Sequence, residues 1–202
     1  MQILKKNIRT SIARAALGLF ARHGFAVVSV AQIASEAGVS TGNIYHYYSG
    51  KKDLLYSVVR PQFLQKCFGL LRNKLEISCG KQSDDLKKMP QFFQANTELL
   101  EFLCKNRQPL LILLQGCEGT NYASFNSEIL SLIVNAVSRH WEMVNNGKNL
   151  EAGEQRVLLG IIYENLLKAT VVILQSGVSE KRRKVLLSYM LEYHLGGLSA
   201  VL

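Results

Sequence analysis

The sequence predicts an all-α protein in which a small N-terminal three-helix domain precedes a larger helical domain. Three observations carry this. Apolar residues recur at helical spacing along most of the chain. The 202 residues include only three prolines and no Gly/Ser-rich tract, so little interrupts a long helix. Serines and single glycines stand where helices have to start and stop. The length suits one or two domains and a sizeable core.

Ile8, Ile12, Ala15, Ala16, Leu19 and Phe20 give a first helix one apolar face, at about 5–23, and Gly24 closes it. Ser29-Val30-Ala31-Gln32 reads as a capping box, with the serine capping a second helix and Gln32 reaching back. Val30, Ile33, Ala34 and Ala37 form its buried side, and Gly38 ends it. Ser40 caps a third, short helix at 41–47. Gly50 precedes a fourth, with Asp53 in its first turn. Two short helices joined by Gly38-Val39-Ser40 make a helix-turn-helix. Ala34 is small where the helices approach, Gly38 tolerates positive φ, and Val39 and Ile44 can fill the wedge between them. Beyond residue 56 the pattern predicts helices near 54–79, 83–88, 90–105, 107–116, 122–146, 153–176 and 179–198.

Charge is distributed unevenly. The chain carries +9 in all. Residues 1–60 hold eight basic groups and two acidic ones, Glu36 and Asp53, leaving +6 in under a third of the length. That asymmetry suits a polyanion. Cys67, Cys79, Cys104 and Cys117 show neither a CxxC nor zinc spacing, and read as reduced, mostly buried thiols. No nucleophile–base grouping, paired-carboxylate motif or phosphate loop is visible, and His23, His46, His140 and His194 are scattered. No enzyme activity, cofactor or metal is expected. The N-terminal MQILKKNIRT lacks the apolar region of a secretory signal. Val157 to Leu174 is interrupted by Gly160, Glu164, Asn165 and Lys168, and is expected to fall short of a membrane span. A cytoplasmic protein without a membrane partner is expected.

The segment IRTSIARAALGLFARHGF…SVAQIASEAGVSTGNIYHYYSGKKDLL resembles the N-terminal domain of the TetR family of bacterial regulators, from about Ile8 to Leu55. Its most specific piece is IA-x-x-AGVS-x-G-x-IY-x-YY-x-x-K-x-x-L. The resemblance implies a DNA-binding domain at 1–56, a ligand-binding and dimerisation domain at 57–202, and a homodimer. Such a protein would act as a repressor released from a palindromic double-stranded DNA operator by a small-molecule ligand. Activation in place of repression stays open, as does control by a protein partner without a small-molecule effector. In one departure, Val28 stands where many members have a threonine, which removes a hydroxyl beside Ser29.

Helix 41–47 is expected to lie in the major groove. Thr41 and Asn43 face base edges, and Gly42 lets backbone and DNA approach closely. Tyr45 and Tyr47 present hydroxyls to phosphates, and His46 meets a base or the backbone edge. Ser29 both caps its helix and meets the backbone. Lys51, with the free N–H groups of the fourth helix, clamps a phosphate. Tyr48, at helical spacing from Ile44, is assigned to the core. An effector pocket is expected among the middle helices, with Phe93, Cys104, Glu118, Tyr122, Trp141 and Tyr163 as candidates. The last two long helices are apolar nearly all round, so a second subunit is expected to cover them. Ile162, Leu166, Leu186 and Met190 are the interface candidates.

Overall fold

The computed structural model describes residues 2–78, 81, 83–144 and 151–201. It is all-α, as expected, and no strand occurs among the described residues. The helices are α1 (Gln2–His23), α2 (Val30–Ala37), α3 (Thr41–Tyr47), α4 (Lys51–Val58), α5 (Pro61–Ser78), α6 (Ser83–Leu86), α7 (Pro90–Lys105), α8 (Arg107–Leu114), α9 (Phe125–Val144), α10 (Ala152–Gln175) and α11 (Glu180–Val201). Cys79, Gly80 and Gly147 lie outside the described residues.

The chain forms two compact units. The first comprises residues 1–65 together with 106–125. Here α1 packs against α2, α4 and α8. Ile12 and Phe20 of α1, Ile33 of α2, Ile44 of α3 and Leu54 and Leu55 of α4 are fully buried. Each such side chain contributes about 1.5–3 kcal/mol by leaving water. From α8 come four consecutive buried residues, Leu110, Leu111, Ile112 and Leu113. Three hydrogen bonds tie the segment after α8 to the N-terminal helices. Gln115 Nε2 donates to Ala21 O (2.9 Å), Asn121 N to Tyr56 Oη (3.0 Å) and Tyr122 Oη to Val59 O (2.7 Å).

One boundary differs from the sequence reading, which ran a single helix over 54–79. α4 ends at Val58, Val59 is extended, and Pro61 opens α5. Proline disfavours helical geometry in the residue before it and is well placed at a helix start. Residues 121–124 turn before α9 begins at Phe125, within the stretch from Thr120 to Phe125 that reads in sequence as a loop or helix entry.

The second unit comprises residues 66–105 and 126–202. Its core collects Cys67 and Leu70 of α5, Phe92, Ala95, Leu99 and Leu100 of α7, Ile129 and Ile133 of α9, Leu159 and Leu174 of α10, and Leu187 of α11. α11 packs against α7, α10 and α6. Cys67, Cys104 and Cys117 are free, buried thiols, and burial pushes all three pKa values up. α10 corrects one expectation: by length and composition alone it is long and apolar enough to cross a membrane. Its Glu164 and Lys168, read as interruptions, form a water-exposed ion pair of 2.9 Å one turn apart.

Candidate functional site

The helix-turn-helix is assembled by caps and core. Ser29 Oγ accepts from Gln32 N (3.2 Å), and Gln32 Oε1 accepts from Ser29 N (2.8 Å), completing the expected box. Gly38 terminates α2 in the left-handed region at φ 68°. Gly38 N donates to Ser35 O and Val39 N to Ala34 O, the reciprocal pair of a glycine-ended helix. Ser40 Oγ then accepts from Asn43 N (3.2 Å) to cap α3. Ser11 Oγ on α1 donates to Ala37 O (3.3 Å), fixing the end of α2. Arg22 and Glu36 pair at 2.9 Å, but both are exposed, so the pair contributes little.

α3 turns two residues inward. Ile44 is fully buried, and Tyr48, its C-cap, is 3% exposed. The Tyr48 hydroxyl donates to Arg9 O (3.3 Å), with the Arg9 guanidinium 5.7 Å from the ring centre. With that side anchored, Thr41, Gly42, Asn43, Tyr45 and His46 all face solvent. Tyr45 is 60% exposed, so it stands outside the core. Tyr47 is half-buried, its ring edge-on to His46 at 4.9 Å. A Cβ at Gly42 would meet nothing closer than Ser40 Oγ at 3.7 Å. This face offers hydroxyls, an amide, an imidazole and open backbone, a set that hydrogen-bonds base edges and phosphates.

Lys51 is placed differently from its expected role. Its Nζ donates to Phe25 O (2.9 Å) and Ala26 O (3.0 Å), and lies 4.5 Å from the centre of the Phe25 ring. Partial burial lowers its pKa. An ammonium has three donors, and two are spent fastening α4 to the loop before α2. The N-cap of α4, Gly50, supplies no side-chain cap, so the backbone N–H groups of its first turn stay open to a phosphate. A lysine four residues past the recognition helix reads as a phosphate clamp in sequence; the α1–α2 loop carbonyls that hold it come from 25 residues away.

A family model described as bacterial regulatory proteins, tetR family, matches residues 12–58. Residues 12–58 are thus similar to the DNA-binding domain of that family. Two curated relatives agree. The transcriptional regulator HbdR of Aromatoleum is 42% identical over 57 residues, 28% of this chain and 25% of that protein. The transcriptional repressor KstR2 of Mycolicibacterium smegmatis is 29% identical over 93 residues, 46% of this chain and 43% of that protein. The matched stretches span less than half the length of these relatives. The solved structure of the ketosteroid transcriptional regulator KstR2 of Mycobacterium tuberculosis superimposes with a TM-score of 0.58, covering 94% of this chain and 93% of that one, at 19% identity. The likeness of fold to that structure therefore takes in both units.

In the second unit the pocket candidates do not converge. Phe93 is 53% exposed on α7, because neighbouring helical residues point about 100° apart and Phe92 takes the inward direction. Glu118 is exposed in the loop after α8. Tyr122 is buried in the first unit, where its hydroxyl holds Val59. Cys104 is buried on α7, and Tyr163 packs its ring at 4.8 Å from that of His194. The Trp141 side chain lies outside the described residues. A cavity of about 450 Å³ does exist, lined by Ile162, Asn165, Leu166, Ala169, Met190, Tyr193, His194 and Gly197. Three of the four interface candidates thus border this cavity, while Leu186 is exposed on α11.

Two residues escaped the sequence reading. Lys74 continues the buried stripe of Cys67 and Leu70 on α5, and is itself 8% exposed. Its Nζ donates to Asn96 Oδ1 (2.7 Å), and burial lowers its pKa to about 8. His194 is held neutral, its pKa lowered to about 4 by burial and by the Lys74 charge, and its Nε2 is buried without a partner. The available signal was periodicity: each polar residue falls where the apolar repeat of its helix wants an apolar one.

Replacing Lys51 with alanine is expected to lower the unfolding free energy by about 1 kcal/mol, after allowance for solvent screening, while the salt dependence of DNA binding stays unchanged. Urea unfolding at fixed pH measures the first, and unaltered stability would return the ammonium to the phosphate. For Lys74 the folded state holds its proton less tightly than the unfolded chain. The cost of the buried charge is therefore complete below pH 8 and is relieved as pH rises toward 10.5. Across that window the stability of the unsubstituted protein is expected to rise by about 3 kcal/mol relative to Lys74→Met. A flat difference between the two unfolding curves would contradict the burial of that charge.

Proposed function

We propose that the chain is a homodimeric TetR-like transcriptional regulator, most simply a repressor, rather than an enzyme. It reads a two-fold symmetric DNA operator with α3 and is released by a small molecule bound in its C-terminal domain. The observation that carries this is the solvent-facing edge of α3, held outward by Ile44 and Tyr48 within a domain matched by the family model. The names of the relatives, regulators and repressors of transcription, support the same reading. In this reading residues 1–56 bind DNA and 57–202 bind ligand and dimerise. Thr41, Asn43 and His46 read bases, Gly42 allows close approach, and Ser29, Tyr45 and Tyr47 meet phosphates. Of the clamp expected at Lys51, the backbone N–H groups of α4 are the part we favour, since the ammonium is held by the Phe25 and Ala26 carbonyls. The protein works beside the chromosome in the bacterial cytoplasm.

Seven residues contact few base pairs, so useful affinity and selectivity require two copies at fixed spacing. The dimer reading rests on apolar surface that the single chain leaves uncovered. Val157, Ile161 and Val172 on α10, and Leu186, Tyr189 and Tyr193 on α11, are all exposed. The three α10 positions lie within about 60° of one another on a helix. A second protein surface suits them better than lipid, because the Glu164–Lys168 ion pair shares α10 with them. This outward surface, whose Tyr193 also borders the cavity, replaces Ile162, Leu166 and Met190 as the contact we favour. The cavity of about 450 Å³ falls in the range of small-molecule sites and favours a ligand over a protein partner as the controlling signal.

Selection of bound fragments from random DNA tests the reading. It is expected to return a palindrome, and Asn43→Ala is expected to relax one base position in each half-site while leaving the others. An unaltered preference would remove Asn43 from base readout, and selection of no sequence at all would remove the function. Ile161→Asp is expected to give monomers in sedimentation and to weaken operator binding; an intact dimer would exclude the α10 stripe.

A further inference from the structure

We propose that Arg9, on α1, grips a backbone phosphate of the DNA beside the recognition helix. The inference rests on the DNA-binding reading above and adds a contact to it.

The starting point is which cations of the reading head are free. Phosphate contacts made by cations supply a large share of the affinity of such a domain. Residues 1–60 carry eight basic groups. Of these, Arg22 is paired with Glu36, and the Lys51 ammonium is spent on two loop carbonyls. The other acid of the stretch, Asp53, accepts from Ser49 N (3.0 Å) and Ser49 Oγ (3.4 Å). Both carboxylates of residues 1–60 are therefore engaged away from Arg9.

Arg9 is exposed on α1, and the structure ties it to α3 twice. The Tyr48 hydroxyl donates to Arg9 O (3.3 Å), and the guanidinium carbon lies 5.7 Å from the centre of the Tyr48 ring. Tyr48 is the buried C-cap of α3, so this turn of α1 goes where α3 goes. A ring face attracts a guanidinium but offers no lone pair to its five N–H donors. Among the described residues no ion pair or hydrogen bond takes those donors either.

Size decides what they reach. With seven residues, α3 is about 10 Å long, and the major groove is about 12 Å wide. A helix of that length in a groove of that width has a phosphate wall close to its C-terminal end. A guanidinium over the C-cap meets that wall, and phosphate oxygens match its planar fork. Thr41 and Asn43, toward the other end of α3, keep the base edges. The Arg9 contact thus holds the head in register and carries no sequence information.

The test uses the full chain with a duplex taken from the selection above and an unrelated duplex beside it. Affinity for each is measured by fluorescence anisotropy over a series of KCl concentrations. Arg9→Gln is expected to lower the slope of log affinity against log salt by about 0.9 per bound subunit on both duplexes, and to leave the selected bases unchanged. Arg22→Gln removes the same charge from the same domain and is expected to keep the slope, because Arg22 is already paired. Methylphosphonates placed one at a time in the operator are expected to reveal a position in each half-site that costs the unsubstituted protein affinity and costs Arg9→Gln nothing more. A merely structural role for Arg9 would weaken binding and leave every phosphate loss additive. An unchanged slope, an equal fall in Arg22→Gln, or additive losses at every phosphate overturns the contact. Should Arg9→Gln not fold, phenylglyoxal modification of the unsubstituted protein decides. Bound duplex is expected to protect Arg9 and leave Arg22 reactive, and an unprotected Arg9 overturns the proposal. Failure to bind any duplex overturns the DNA-binding reading and this contact with it, whereas loss of the contact alone leaves that reading standing.

Discussion

Seven residues are too few to hold a helix in water, and α3 has seven. Much of the first unit can be understood as compensation for that. Ser40 satisfies one free amide of α3, that of Asn43, Gly38 brings the chain round without strain, and Ile44 gives the helix a single buried anchor. Tyr48 supplies a second, reaching Arg9 on α1. Because burial is confined to one side, the side chains opposite are placed by the core and not by their own contacts. Rigidity of that kind matters for reading, since hydrogen-bonding groups on a loose helix would give up ordering entropy on binding.

Local chemistry explains why this region was so legible in sequence. A capping box, a left-handed glycine and an apolar residue every three or four positions are all short-range signals. The recognition helix was read with the bounds the structure gives it. Lys51 was less legible for the opposite reason. Its charge and position were visible, but its carbonyl acceptors lie on the loop at Phe25 and Ala26. The break at Pro61 had a local signal that was overlooked. Tyr122 had none, since its acceptor Val59 is 63 residues away.

The second unit shows the limit more sharply. Its helices follow the apolar repeat, yet the repeat says nothing of which polar residues enter the core. Phe93 looks like a pocket residue and lies outside; Lys74 looks like a surface charge and lies inside. Adjacent positions on a helix can have opposite fates, so a residue type alone is a poor guide to a cavity. What distinguishes Lys74 and His194 is their register with neighbouring apolar positions, combined with thin satisfaction among the described residues: Lys74 has the neutral Asn96 Oδ1, and His194 Nε2 has no partner. Such residues are costly to the fold, and their cost is the reason to ask what they serve.

The hydrogen bonds from Gln115, Asn121 and Tyr122 back to the first helices carry a further consequence. The first unit is discontinuous in chain, since 106–125 packs with the N-terminal helices. A hybrid made by exchanging only the first sixty residues with those of a relative would set foreign side chains against Leu110, Leu111, Ile112 and Leu113. Recombination that preserves this unit must carry both pieces together, so the natural unit of exchange is a pair of segments with most of α5 and all of α6 and α7 between them.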